Sequence, residues 1–198
     1  MENYVITISR QFASFGRSIA QKMSEELQIE FYDRDIVEAT AKRMGQPVPV
    51  ISNEEENANV AFFRRKYPLG MGVSNIQDEI FEVQTNIIRD IAAKESCIIV
   101  GRCAGNVLKE HPRCLNIYVY SPYEVRLKNC TDSLQMDLKV AKKMIKDVDK
   151  ARENYRYRYC PEIKNVYDGY DIMIDSSRFG IEETAKILAD IARDKFLS

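Results

Sequence analysis

Five short apolar runs, separated by segments with helical spacing, predict an α/β fold: one doubly wound, five-stranded parallel sheet with helices on both faces. Three observations carry that reading. The runs at residues 4–8, 29–32, 97–100, 115–120 and 171–174 are rich in isoleucine, valine and tyrosine, as strands covered on both sides require. The segments between them are mostly long enough to carry the chain back across a sheet, and most repeat their apolar residues every three or four positions. The chain has 198 residues, 45% of them hydrophobic and 30% charged, which suits one domain with one substantial core, 1–198.

The elements follow in order. After the first run comes a loop, then a helix over about 16–27 with Ile19, Ala20, Met23 and Leu27 on one face. The run at 29–32 leads into a second helix bearing Ile36, Val37, Thr40, Ala41 and Met44. Residues 45–75 are the least regular stretch, with Pro47, Pro49, Pro68, an acidic triplet at 54–56 and a basic triplet at 64–66. A mobile excursion with one short helix is expected there. A further helix follows from Ile76, Ile80, Val83, Ile87 and Ile91. The run at 97–100 ends in Gly101-Arg102, and the run at 115–120 is followed by Pro122, well placed to open a helix. A polar helical tract over 136–159, the last strand, and an amphipathic helix over 180–197 with Ile181, Ala185, Leu188, Ile191 and Ala192 complete the chain.

Composition excludes several function classes. The formal net charge is −1, so no global positive field exists to hold nucleic acid or an anionic membrane. No run approaches the roughly 20 apolar residues of a membrane span. The first residues lack the basic-then-apolar pattern of a secretory signal. Five cysteines, none in a CxxC pair, and one histidine fit neither a zinc site nor a secreted disulfide framework. Reduced thiols in a cytoplasmic protein are the expectation.

The loop between the first strand and helix is where phosphate chemistry is favoured, because free amides and the helix dipole face a bound anion there. Against the pattern GxxxxGK[ST], residues 11–18 keep Gly16 and Ser18 but place Gln11 for the first glycine and Arg17 for the lysine. Arginine brings the positive charge as a planar fork, and Ser18 offers a hydroxyl for Mg²⁺. The alternative is a plain strand–turn–helix junction.

Several segments in register resemble the cytidylate kinase-like family: ITISRQFASFGRSIA followed by Phe31-Tyr32-Asp33-Arg34-Asp35, then CIIVGRCAGNVL, LNIYVYSPYEVRLKN, VDKARENYRYRY and GYDIMIDSSRFGIEET. The resemblance spans most of the chain outside 45–75 and the lid tip. It implies a P-loop kinase fold with a helical lid over about 129–160, ATP and Mg²⁺ as cofactors, and a small nucleotide as substrate. Ser14, Phe15, Gly16, Arg17, Ser18 and Arg126 would hold the cofactor, with Ser18 at the metal. Asp33, Arg34 and Arg102 would hold the acceptor. Arg17, Arg102, Arg152 and Arg156 would act on the transferred group, since a kinase joining two polyanions needs converging cations. Arg152 and Arg156 are four apart and share a helix face.

The sequence also departs from the family. Ala39 stands where an acceptor-phosphate arginine is usual, Tyr120 and Cys103 replace aspartates, and Asn129 and Cys130 stand where lid arginines are common. Two readings therefore stay open: a phosphotransferase, or a kinase-shaped module that binds a nucleotide or anion without turnover. A weaker third, an RNA- or protein-interaction helix, comes from Tyr155-Arg156-Tyr157-Arg158-Tyr159.

Overall fold

The computed structural model describes residues 2–56 and 73–197, and the side chains of these except 53–56 and 73–75. Strands β1 (Val5–Arg10), β2 (Glu30–Tyr32), β3 (Cys97–Val100), β4 (Cys114–Tyr120) and β5 (Ile172–Asp175) form one all-parallel sheet in the order β2-β3-β1-β4-β5. The helices are α1 (Gly16–Leu27), α2 (Arg34–Met44), α3 (Val48–Glu56), α4 (Val73–Lys94), α5 (Ala104–Val107), α6 (Tyr123–Lys128), α7 (Leu138–Tyr159) and α8 (Gly180–Phe196). A π-helical turn, Asn129–Ser133, continues α6. Every one of the five expected strands is present, and the sheet is doubly wound as the sequence predicts.

Alternation along the strands builds two cores. Ile6 and Ile8 of β1, Ile98 and Val100 of β3, and Ile117 and Val119 of β4 face α1 and α8, meeting Ile19, Met23, Leu188 and Ala189. Val5, Cys97 and Ile99 point the other way, onto Ile36 of α2 and Ile87 and Ile88 of α4. Burying each such side chain contributes about 1.5–3 kcal/mol, so β1 is held from both faces. A satellite cluster joins Val37, Ala41, Ile51 and Ile80. Through Ile51 the short helix expected after residue 45 is pinned to α2 and α4. The rest of that expected excursion, 57–72, lies outside the described residues.

Three details differ from the expectation. Strand β1 runs on through Ser9 and Arg10, because both pair in register with Tyr118 and Val119 of β4. Helix α7 starts at Leu138, where the Asp137 carboxylate accepts from the amides of Lys139 and Val140 at 2.8 and 3.2 Å, an N-cap that ends the turn carrying Met136. Ile191 of α8 is exposed, since Ala185, Leu188, Ala189, Ala192 and Phe196 already fill the buried face.

Candidate functional site

The carboxyl ends of β1 and β3 open into a cavity of about 1050 Å³ that α7 borders. Ligands of open α/β sheets bind at this end of the strands. Its lining carries Arg10, Arg17, Arg34, Arg102, Lys146, Lys150, Arg152 and Arg156 against Asp33, Asp149 and Glu153. Eight cations face three carboxylates, in a chain whose net charge is −1. The positive charge is thus concentrated where strands β1 and β3 end, helices α1 and α2 begin and α7 passes over them.

Asp33, buried just before α2, is the hub. Its carboxylate receives Arg17 Nε at 3.0 Å, Arg102 Nη1 at 3.2 Å and, more distantly, Arg10 Nη2 at 3.9 Å. Arg102 also donates to the Val100 carbonyl at 3.0 Å and sits in the left-handed region at φ 55°. Arg17, with 56% of its side chain exposed, loses little by exchanging Asp33 for another anion. Arg34 lines the cavity beside it.

The loop after β1 is fastened from several sides. Ala13 and Phe15 both take left-handed backbone at φ 59°. Gly16 is required by close packing: a Cβ there would stand 2.6 Å from Arg10 Cβ and 3.4 Å from Val119 Cβ. The Ser14 hydroxyl is fully buried and lies 3.0 and 3.1 Å from the carbonyls of Gln11 and Val119, so it positions the loop and faces no cavity. Gln11, in the place of the usual glycine, receives the Ser121 amide on its side-chain oxygen at 3.1 Å. The Phe12 amide donates to Asp149 of α7 at 2.7 Å. Ser18 is half-buried on the first turn of α1, and its hydroxyl engages no described residue. The first amides of α1 have no intrahelical acceptor, which leaves this end suited to an anion. Ser14, Phe15, Gly16 and Ser18 stand beside the main cavity and do not line it; of the expected loop residues, Arg17 alone does.

Arg126 is placed otherwise than expected. The resemblance puts it at the cofactor phosphates; in the structure it is buried, and its guanidinium donates to the carbonyls of Ser121 (3.1 Å) and Phe12 (3.2 Å) and to the Asp149 carboxylate. Its charge is compensated inside the protein, and its work is to hold the loop against α7. Asn129 adds a hydrogen bond to the Ala13 carbonyl at 2.8 Å. Cys130, Ala141 and Ile145 close an apolar cluster over Phe12 and Ala13. The segment expected to start a mobile lid is therefore anchored at its base on the loop.

Helix α7 brings Arg152 and Arg156, on one of its faces, to the cavity. Arg152 Nη1 donates to the Arg10 carbonyl at 3.1 Å, fixing the guanidinium over the end of β1. Arg156 Nη1 reaches the carbonyls of Ile163 and Asn165 at 3.4 and 3.5 Å. Tyr159 stacks on Phe81 of α4 at 4.0 Å, and Tyr155 meets both rings at 4.7 and 6.1 Å. These two tyrosines join α7 to α4 as packing residues, while Tyr157 between them is exposed, so the tract presents one exposed ring and no row of rings for successive bases. Tyr118, held near Tyr170 at 4.9 Å, is pushed up to about 12 by burial and stays a neutral hydroxyl in the cavity wall.

Arg10, Lys146 and Asp149 escaped the sequence reading. Arg10 had a local signal, a charged residue ending a strand at the ligand-binding edge; the other two emerge only when α7 is laid across the loop. Gly101 explains how Arg10 fits. At φ 80°, a Cβ on Gly101 would stand 2.2 Å from Arg10 Nη1. Gly101→Ala is expected to cost about 1–2 kcal/mol from left-handed backbone and to displace Arg10. An unchanged unfolding midpoint would contradict this account.

Comparison with known proteins agrees with the fold. An uncharacterized protein from Eubacterium ventriosum superposes with a TM-score of 0.72 at 23% identity, covering 96% of this chain and 98% of the other. Shikimate kinase from Acinetobacter baumannii, solved with shikimate, gives 0.55 at 15% identity, covering 98% and 96%. The YorR protein of Bacillus subtilis, solved with phosphorylated GDP, gives 0.52 at 12% identity, covering 98% of each chain. No curated protein matches the sequence. At such identities the structures speak to the fold alone, and that fold is the P-loop kinase type. The family follows from the sequence itself: the model of the cytidylate kinase-like family matches residues 5–178, and the chain belongs to that family.

Proposed function

We propose that the chain is an ATP-dependent phosphotransferase whose acceptor is a nucleoside monophosphate or a similarly small phosphate-bearing molecule. One observation carries the reading: the excess of cations lining a single cavity in a protein otherwise slightly acidic. Such an arrangement suits two polyanions brought together, where positioning and charge neutralisation supply the catalysis.

The roles divide by position. Arg17 and the first amides of α1 would take the donor phosphates. Arg34 and Arg102 would take the acceptor phosphate, with Asp33 orienting Arg102 and released in part from Arg17 as phosphate arrives. Arg152 and Arg156 would stabilise charge on the group in transfer. The donor set fits Mg²⁺ bound in the usual way, by the Ser18 hydroxyl together with substrate oxygens and water. Bound there, the ion would neutralise charge between the donor phosphates. Among the described residues no group of three or more His, Cys, Asp and Glu side chains could hold a metal alone. We further take the chain as a single cytoplasmic domain with 129–160 as its lid; among the described residues, no helix is long and apolar enough to cross a membrane.

A second reading has its own support. Asp149 occupies the Phe12 amide and Arg17 leans on Asp33, so protein carboxylates already satisfy groups a donor phosphate would use. A kinase-shaped module that binds nucleotide without turnover would tolerate that arrangement. A panel of nucleoside monophosphates incubated with ATP and Mg²⁺ separates the two. ADP release above the no-acceptor background is expected; tight ATP binding with no ADP release for any acceptor would transfer the assignment to the binding module.

A further inference from the structure

We infer that Cys103 and Cys160 form an oxidisable dithiol, a modification site for small peroxides that joins the turn after β3 to the end of α7. Both residues line the same cavity, Cys160 buried and Cys103 partly exposed. Cys103 caps α5, and Asn106, one turn further on, donates its side-chain amide to the Tyr159 carbonyl at 3.1 Å. Cys160 is the next residue after Tyr159, so this bond holds the two thiol-bearing segments side by side.

The chemistry singles this pair out among the five cysteines. Burial pushes Cys97 and Cys114 up to about 12, and burial also raises Cys130; those thiols are inert packing groups. Cys103 and Cys160 differ from these in facing each other: the two thiols share a hydrogen bond, and the Arg156 cation lies near both. Whichever of the two is oxidised first, the other is its natural resolving group.

The reaction with hydrogen peroxide balances. One of the two thiolates attacks a peroxide oxygen, the O–O bond breaks, and hydroxide leaves and takes up a proton as water. The sulfenic acid so formed is then attacked by the other sulfur; the S–S bond forms, the S–O bond breaks, and the departing hydroxide takes the second thiol's proton as a second water. Two thiols are oxidised by two electrons, and one peroxide is reduced. The new bond ties Cys160, at the end of the helix carrying Arg152 and Arg156, to the residue following Arg102. Oxidation would therefore fix these arginines relative to one another.

The consequence for ligands rests on the phosphotransferase reading, while the dithiol does not. The test uses the full-length wild-type chain, treated with hydrogen peroxide, alkylated, digested and weighed. The expected product is one linked peptide pair, Cys103 to Cys160, lighter by two hydrogens and restored by dithiothreitol. Full alkylation of both cysteines, linkage of another pair, or a lone sulfinic acid would overturn the proposal. With Cys103→Ser and Cys160→Ser compared, the variant that keeps the attacking thiol should accumulate a sulfenic acid trapped by dimedone; the wild-type result decides if either variant misfolds. A repeat with ATP and Mg²⁺ present should slow linkage severalfold. If linkage forms at an unchanged rate there, the dithiol stands and the occupation of the cavity by nucleotide is what fails.

Discussion

Arg126→Ala is expected to lower the stability of the fold by about 3–5 kcal/mol, the scale of removing one partner from a buried ion pair. The guanidinium is 8% exposed and bridges Asp149 with the carbonyls of Phe12 and Ser121. Without it, a carboxylate and two carbonyls are left partly buried with no replacement donor. The loop after β1 would then lose its fastening to α6 and α7 together. Denaturant unfolding of the variant measures the loss. Asp149→Asn provides the control, since the Phe12 amide can still donate to the new side-chain oxygen. Its cost should be smaller than that of Arg126→Ala, and a double-mutant cycle should show strong coupling between the two sites. A midpoint for Arg126→Ala within experimental scatter of wild type would mean that the bridge contributes nothing.

Arg152→Ala is expected to lower the turnover of an active enzyme by roughly a hundredfold or more, the effect of losing one preorganised group that stabilises developing charge. Arg152 is a good candidate because its guanidinium is already fixed, by its bond to the Arg10 carbonyl, over the end of β1. Preorganised charge stabilises a transition state without reorganising when the reaction occurs. ATP affinity should change far less than turnover, which initial-rate kinetics and direct titration would separate. A binding module gives the opposite pattern, with affinity lost and no turnover to lose.

The sheet was legible because its information is local. Runs such as Cys97-Ile98-Ile99-Val100 and Tyr4-Val5-Ile6-Thr7-Ile8 can be read without knowing their neighbours, and strands buried on both faces leave few alternatives. The α4 stripe from Ile76 to Ile91 was legible for the same reason: Ile76 and Ile80 join one cluster, Val83, Ile87 and Ile91 another. The site was legible only in part. Arg17, Arg34, Arg102, Arg152 and Arg156 all line one cavity. Arg126, which the resemblance puts at the cofactor phosphates, is held in the structure by Phe12 and Asp149, contacts that the sequence does not display. Arg10 was passed over because the strand was read as ending at Ile8, two residues before its actual end. Ser14 shows the same limit, since a serine in a phosphate-loop pattern gives no hint that Val119 lies behind it.

The left-handed backbone at Ala13 and Phe15 changes how the loop should be understood as a machine part. Phosphate loops usually meet this demand with glycine, which leaves the unfolded ensemble free to roam. Here residues with side chains adopt it at φ 59°, and Phe12 and Ala13 pack against the cluster around Cys130. A chain that sacrifices backbone permissiveness at these positions has fewer unfolded conformations to surrender, and a loop already clamped from below has little ordering cost left when an anion arrives. What a pattern search reads as decay of a glycine-rich motif is, in the backbone, a more constrained loop; on the phosphotransferase reading it would wrap fewer ligands and take the right one at less cost.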